Sequence, residues 1–272
     1  MTLHSYNAPF TEINLDGNPE FLIVCDHASN AVPEPFSLLG LPEATLTSHR
    51  GWDIGAAAVA GLIAQKLDCP AVLSGFSRLL IDPNRGMDDP TLIMRLSDGE
   101  IIPGNREVLP GERCGAWRER VENYHKPYHD KIAAQLNKAE EAGVIPIILS
   151  VHSFTPVWKG CKRAMPASVL WDKDDRVRKH LNKTLVSRNL TDDKFSGPIG
   201  DNQPYSGRLK NDTLYTHGTA KGLPHAMIEL RQDLLETVAN QTYWADLMVD
   251  ALTNASMDAA CRVRRHFGSW CD

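Results

Sequence analysis

Apolar residues fall in short runs along this chain, at 21–25, 71–73, 144–151, 168–171 and 226–230. A run that is apolar at successive positions has no wet face, so each predicts a strand covered on both sides. Between the runs, apolar positions recur at helical spacing. Residues 53–67 are alanine-rich and stop before Pro70. Residues 116–142 alternate charge with apolar positions, and Pro127 is expected to kink or divide that helix. Residues 174–188 open with two acids that suit a helix N-terminus, and 240–267 form a long amphipathic stretch. Strands alternating with helices predict a layered α/β sheet. Two stretches, 81–111 and 195–222, are rich in Pro, Gly, Asn and Asp and fit neither period; long irregular segments of this kind are often functional loops.

Composition narrows the function classes. With 272 residues, 42% hydrophobic and 23% charged, the chain reads as an ordinary globular protein, expected to form one domain over 1–272. The net charge of −5 gives no overall pull toward nucleic acid or an anionic membrane, so neither is an expected partner. No run of about 20 apolar residues is present to span a bilayer. The first residues, Met1 to Ser5, do not read as a secretory signal, and the six scattered cysteines form no CxxC pair and read as reduced thiols. A cytoplasmic location is the expectation; the oligomeric state is left open.

Several clusters could carry chemistry. The run at 21–25 leads into Asp26, His27 and Asn30, and the apolar run at 144–151 ends in His152. Ligands gather at the carboxyl ends of strands in open α/β sheets, and imidazole is the commonest metal ligand. Turn formation and a hydrogen-bonded structural histidine are the plainer alternatives. Asp53 stands where a helix begins, so it is either a cap or a free carboxylate. Arg78 and Arg85 flank an Asp82-Pro83 turn, and arginine can grip a carboxylate with two parallel hydrogen bonds; ion pairs with nearby aspartates would also explain them. Glu229 sits in an apolar run, a costly place for a carboxylate unless it is paired or at work. His125 and His129 have metal-like helical spacing, but Pro127 lies between them and a solvated helix face is the expected reading. Cys25, two positions from His27, could share its side of the strand, though packing as a small hydrophobe is the simpler account. Dinucleotide, phosphoryl-transfer and serine-hydrolase motifs are missing.

Taken together and in order, the segments at 25–33, 49–56, 77–85, 150–154, 202–206 and 228–232 resemble the N-formylglutamate amidohydrolase family, in particular its shorter branch, from about residue 20 to 250. The resemblance implies a three-layer α/β/α domain with a mixed, mostly parallel sheet, like that of the related zinc carboxypeptidases and aspartoacylase-like deacylases. It implies a zinc ion, or another divalent metal, at His27 and His152. Those relatives carry a glutamate three residues after the first histidine, where this chain has Asn30; Asp53 is the expected third ligand and Asp26 the second choice. The resemblance further implies Glu229 as general base toward a zinc-activated water, and Arg78 as oxyanion support. Arg85 and Asn84 would hold a substrate carboxylate, and Tyr205 and His217 would close over the substrate, with Asn30 also placed near it. The implied reaction is hydrolysis of a small anionic N-acyl amino acid, with N-formylglutamate the named candidate. A carboxypeptidase- or amidase-like hydrolase of short peptides is the alternative, and a non-catalytic carboxylate- or metabolite-binding protein the reading from another class.

Overall fold

The computed structural model describes residues 8–111, 114–187 and 195–272. Seven strands form one sheet: β1 (Phe10–Ile13), β2 (Phe21–Cys25), β3 (Ala71–Ser74), β4 (Ile147–Phe154), β5 (Ala167–Leu170), β6 (Gly200–Asp201) and β7 (His225–Arg231). Their order is β1-β3-β2-β4-β7-β5-β6. The central four, β3, β2, β4 and β7, run parallel; β1 is antiparallel to β3, and β5 with β6 is antiparallel to β7. The sheet is therefore mixed and mostly parallel, as expected.

The period-two rule divides the core in two. Phe21, Ile23, Cys25, Ile147, Leu149, Val151, Ala226, Ile228 and Leu230 point to one face, covered by α1 (Ala56–Leu67), α3 (Arg176–Ser187) and α4 (Val238–Met257). Leu22, Val24, Val72, Ile148, Leu170 and Met227 point to the other, covered by Tyr128, Ile132 and Leu136 of α2 (Lys126–Glu141) and by Leu214 and Leu223. Continuing the second stripe toward the strand ends leads to Asp26, Ser150, His152 and Glu229.

The element boundaries differ from expectation in informative ways. Strand β4 runs on to Phe154, so His152 lies inside a strand rather than after one. Helix α1 starts at Ala56, not at Asp53. The chain turns there through Gly55 at φ 84°, where an added Cβ would stand 2.5 Å from the Leu235 side chain, so glycine is required for both conformation and space. The predicted helix at 116–142 continues through a wider turn over Val121–His125, and Pro127 follows directly on that turn in the second position of α2. The C-terminal helix ends at Met257, and Asp258 caps a separate short turn by accepting the Ala260 N–H.

The irregular stretch at 81–111 carries one short hairpin, Leu96–Ser97 against Glu100–Ile101, and is otherwise ordered by buried side chains. Arg120 donates to the carbonyls of Leu80 and Gly104 and to Asn105, and Asn105 donates to the carbonyls of Leu79 and Met94. Leu79, Leu80, Ile81, Ile93 and Ile102 close a separate apolar cluster around this network. No described helix is long and apolar enough to cross a membrane.

Candidate active site

Strand register builds the floor of the site. Glu229 of β7 is paired with His152 of β4 on one side and with Ser168 of β5 on the other. Asp26 and His27 follow directly from the end of β2. The Asp53 N–H donates to the His27 carbonyl at 2.9 Å, which brings the turn before α1 against the end of β2.

Two imidazoles converge on one carboxylate. His152 Nδ1 lies 2.8 Å from Asp53 Oδ2, and His27 Nδ1 lies 3.4 Å from the same oxygen. The opposite ring nitrogens are held by separate carboxylates: His27 Nε2–H donates to Asp82 at 2.8 Å, and His152 Nε2–H donates to Asp26 at 3.0 Å. A histidine that donates from Nε2 presents a lone pair at Nδ1. Two such lone pairs and a carboxylate oxygen repel one another unless a proton or a cation lies between them. The donor atoms of His27, Asp53 and His152 fall within 4.8 Å of each other, and all three residues are buried. This is the donor chemistry and the outer carboxylate support of a divalent metal site. A second group able to hold an ion, His180, Asp258 and Cys261, does not line the cavity described below.

Asp26 has no oxygen to spare. Its Oδ1 accepts from Tyr128 and Thr213, and its Oδ2 from Ser150 and His152. It orients His152; Asp53, not Asp26, faces the converging nitrogens. Burial alone would raise the pKa of both aspartates, but the two histidines outweigh it and hold both well below the usual carboxylate range. Burial likewise pushes His152 down, and the bonds to Asp26 and Asp53 more than reverse this, so His152 holds its proton well above the ordinary histidine range. Glu229 behaves differently: it is 7% exposed, its Oε2 has no hydrogen-bond partner, and burial, with Asp53 adding, pushes its pKa up to about 7 against the opposing pull of His152, His27 and Arg78.

His27, Asp53, His152 and Glu229 line a cavity of about 300 Å³, at the small end of the roughly 300–1,000 Å³ range of ligand sites. Arg78 enters it with one guanidinium nitrogen 2.8 Å from Asp82 and another 3.3 Å from His27 Nδ1. Asn84 and Arg85 line it as well. The Thr213 N–H occupies Asn84 Oδ1, so the Asn84 amide NH₂ is left as a donor. Leu170 and Met227 supply an apolar floor, and Asp212, buried with a pKa raised to about 7 mainly by desolvation, stands beside them. Tyr205, 42% exposed, stands at the rim, where Arg163 donates to its hydroxyl.

The structure thus brings together His27, Asp53, His152, Glu229, Arg78, Asn84, Arg85 and Tyr205 around one space. It does not bring Asn30 or His217 there. Asn30 lies outside the lining, and His217 is buried in contact with His129, so neither stands where a substrate contact was expected. The expected solvated face of His125 and His129 is also corrected: His125 is buried, and both donate to backbone carbonyls. Cys25 packs on the opposite face of the sheet. Sequence reasoning missed the supporting roles of Asp82, Tyr128, Ser150 and Thr213. Asp82 alone had a local signal, the Arg78…Asp82-Pro83-Asn84-Arg85 segment it sits in.

Comparison with known proteins bears on this arrangement. The sequence model of the N-formylglutamate amidohydrolase family matches residues 20–236. Among solved structures, the gene product Atu2144 of Agrobacterium tumefaciens is similar at 30% identity, with 91% of this chain and 94% of that one covered and a TM-score of 0.81. The N-formylglutamate amidohydrolase of Ralstonia eutropha JMP134 shares the fold at 19% identity, with 92% and 98% covered and a TM-score of 0.68. No curated protein matches the chain.

Proposed function

The chain belongs to the N-formylglutamate amidohydrolase family, and from that premise we propose that it is a metal-dependent amide hydrolase of small N-acyl amino acids, with N-formylglutamate the first candidate substrate. The observation that carries the metal is the convergence of His27 Nδ1, His152 Nδ1 and Asp53 Oδ2, each histidine backed at Nε2 by its own carboxylate. His27, Asp53 and His152 would hold the ion, and Asp53 supplies the carboxylate that Asn30 cannot. A divalent ion there supplies Lewis acidity toward the amide carbonyl and the attacking water.

The chain's own residues account for the remaining work. Glu229, buried and poised near neutral pH, accepts the proton of the attacking water and returns it to the departing amine. Arg78, anchored on Asp82, offers N–H donors to the charge that develops on the carbonyl oxygen. Arg85 and the Asn84 amide hold the substrate carboxylate, which lets an acidic protein bind an anion through a local basic field. Tyr205 at the rim restricts the opening. The small cavity favours an amino-acid derivative over a peptide.

The test is elemental analysis of the purified protein, followed by stripping, reconstitution and assay of formate or acyl release from a panel of N-acyl amino acids. About one divalent ion per chain is expected, lost in His152→Ala, with activity that follows the ion. A protein that binds no divalent metal, yet hydrolyses the panel or merely binds it, would overturn the proposal.

A further inference from the structure

Within one turn, helix α2 and the wide turn before it direct three side chains at the active-site loops. Tyr128 reaches Asp26. His125 and His129, four residues apart, share a face, and their ring centroids are 4.4 Å apart. His125 Nε2–H donates to the Arg85 carbonyl at 2.9 Å, and His129 Nε2–H donates to the Pro83 carbonyl at 2.8 Å. A carbonyl can only accept, so both rings carry a proton on Nε2. His129 Nδ1 is then an acceptor, and His217 Nε2–H fills it at 2.9 Å with the two rings nearly parallel, 14° apart. These bonds together fix all three tautomers. The cost is visible: the Nδ1 atoms of His125 and His217 are buried without a partner, a penalty that an apolar side chain at either position would not incur.

What this cost secures is the position of two carbonyls. Both belong to the segment Asp82 to Arg85, which no strand or helix holds. Two of its side chains, Asn84 and Arg85, line the cavity, and a third, Asp82, holds His27 and Arg78, which line it as well. The carbonyls turn toward α2 while the side chains turn toward the cavity, so the imidazole contacts set the backbone from which the side chains project.

We infer that His125, His129 and His217 form a stack of N–H donors whose task is to position Asn84 and Arg85 for a substrate carboxylate; this rests on the carboxylate-holding part of the proposed function. These are positioning residues, since none touches the cavity. Burial, the leading cause at each ring, lowers all three pKa values, to about 4 at His125 and about 3 at His217, which agrees with the uncharged tautomers that the bonds require.

The test compares His129→Leu with His129→Gln in the full chain. Glutamine can still donate from Nε2 to the Pro83 carbonyl; leucine fills the space and cannot. Hydrogen exchange of the peptide spanning 80–92 is expected to quicken in His129→Leu and to return toward wild type in His129→Gln. With N-formylglutamate as probe, KM should rise about tenfold or more in the leucine variant, the scale on which displaced positioning groups act, while kcat holds. The neutral diamide of the same compound should show no such change, and glutamine should restore KM. Wild-type exchange in His129→Leu, an unchanged KM, equal losses on both compounds, or no rescue by glutamine would overturn the inference. A wild type that hydrolyses neither compound would overturn the proposed function instead, and the exchange comparison would still decide whether the stack holds the loop.

Discussion

Glu229→Gln separates what the fold needs from what the reaction needs. Burial, with Asp53 adding, raises the Glu229 carboxyl from 4.5 to about 7 in the folded chain. A group whose folded value lies above its unfolded value binds more protons when folded, so its contribution is full below pH 4.5 and is lost as pH rises through about 7. The interval spans about 2.5 units, and at about 1.4 kcal/mol per unit the wild type gives up roughly 3 kcal/mol by pH 8.5. Glutamine does not titrate. In metal-stripped protein, the stability of Glu229→Gln relative to wild type should therefore grow by about 2–3 kcal/mol between pH 5 and pH 8.5. Urea unfolding of both proteins at the two pH values reads this, and titrations of groups remote from Glu229 cancel in the difference. Turnover of the reconstituted variant should fall by roughly 10²–10⁴, the range of a lost acid–base group. A stability difference that stays flat with pH would refute the desolvated carboxylate. Turnover kept within about twofold would refute the proton-transfer role.

Other outcomes follow from the same geometry. Asp82→Asn removes the charge between His27 and Arg78 and should weaken divalent-metal affinity about 10–100-fold, read by competition with a chromogenic chelator; unchanged affinity would remove Asp82 from the support. Arg85→Ala should raise KM for N-formylglutamate and leave its neutral diamide unaffected, and equal effects on both would count against a carboxylate grip. Arg78→Met should lower kcat by about 10²–10³ with the bound metal retained; a change confined to KM would reassign it to binding. Metal uptake should release about one proton, because His152 holds one between Asp26 and Asp53 that coordination must displace. Calorimetry in buffers of different ionisation enthalpy measures this, and zero release would contradict it.

The pattern of apolar runs is enough to predict the central strands and the layered α/β class, because periodicity is local and burial on both faces leaves a plain mark; the mostly parallel sheet came with the family resemblance. The residues around the cavity were legible for a related reason. A histidine or glutamate next to or within an apolar run is conspicuous, and His27, His152 and Glu229 stand out on that ground; the family resemblance chose the ligand reading for Asp53 over the cap and gave roles to Arg78 and Arg85.

What no local signal carried was which polar groups support which. Asp26 meets Thr213 across 187 positions and His152 across 126, and neither pairing exists until β2 and β4 lie side by side and the chain has passed back over α2. Asp53 looked like a helix cap, and only the turn at Gly55 shifts the helix start and directs the carboxylate at the two histidines. The family resemblance implied His217 as a substrate contact. Its bond to His129 instead holds it outside the cavity lining. The sequence by itself determined the strand periodicity, and with it the face on which Asp26, Ser150, His152 and Glu229 emerge. The tertiary structure decided their partners, because hydrogen bonds between segments a hundred residues apart depend on sheet register and helix docking, to which the chain's local pattern is blind.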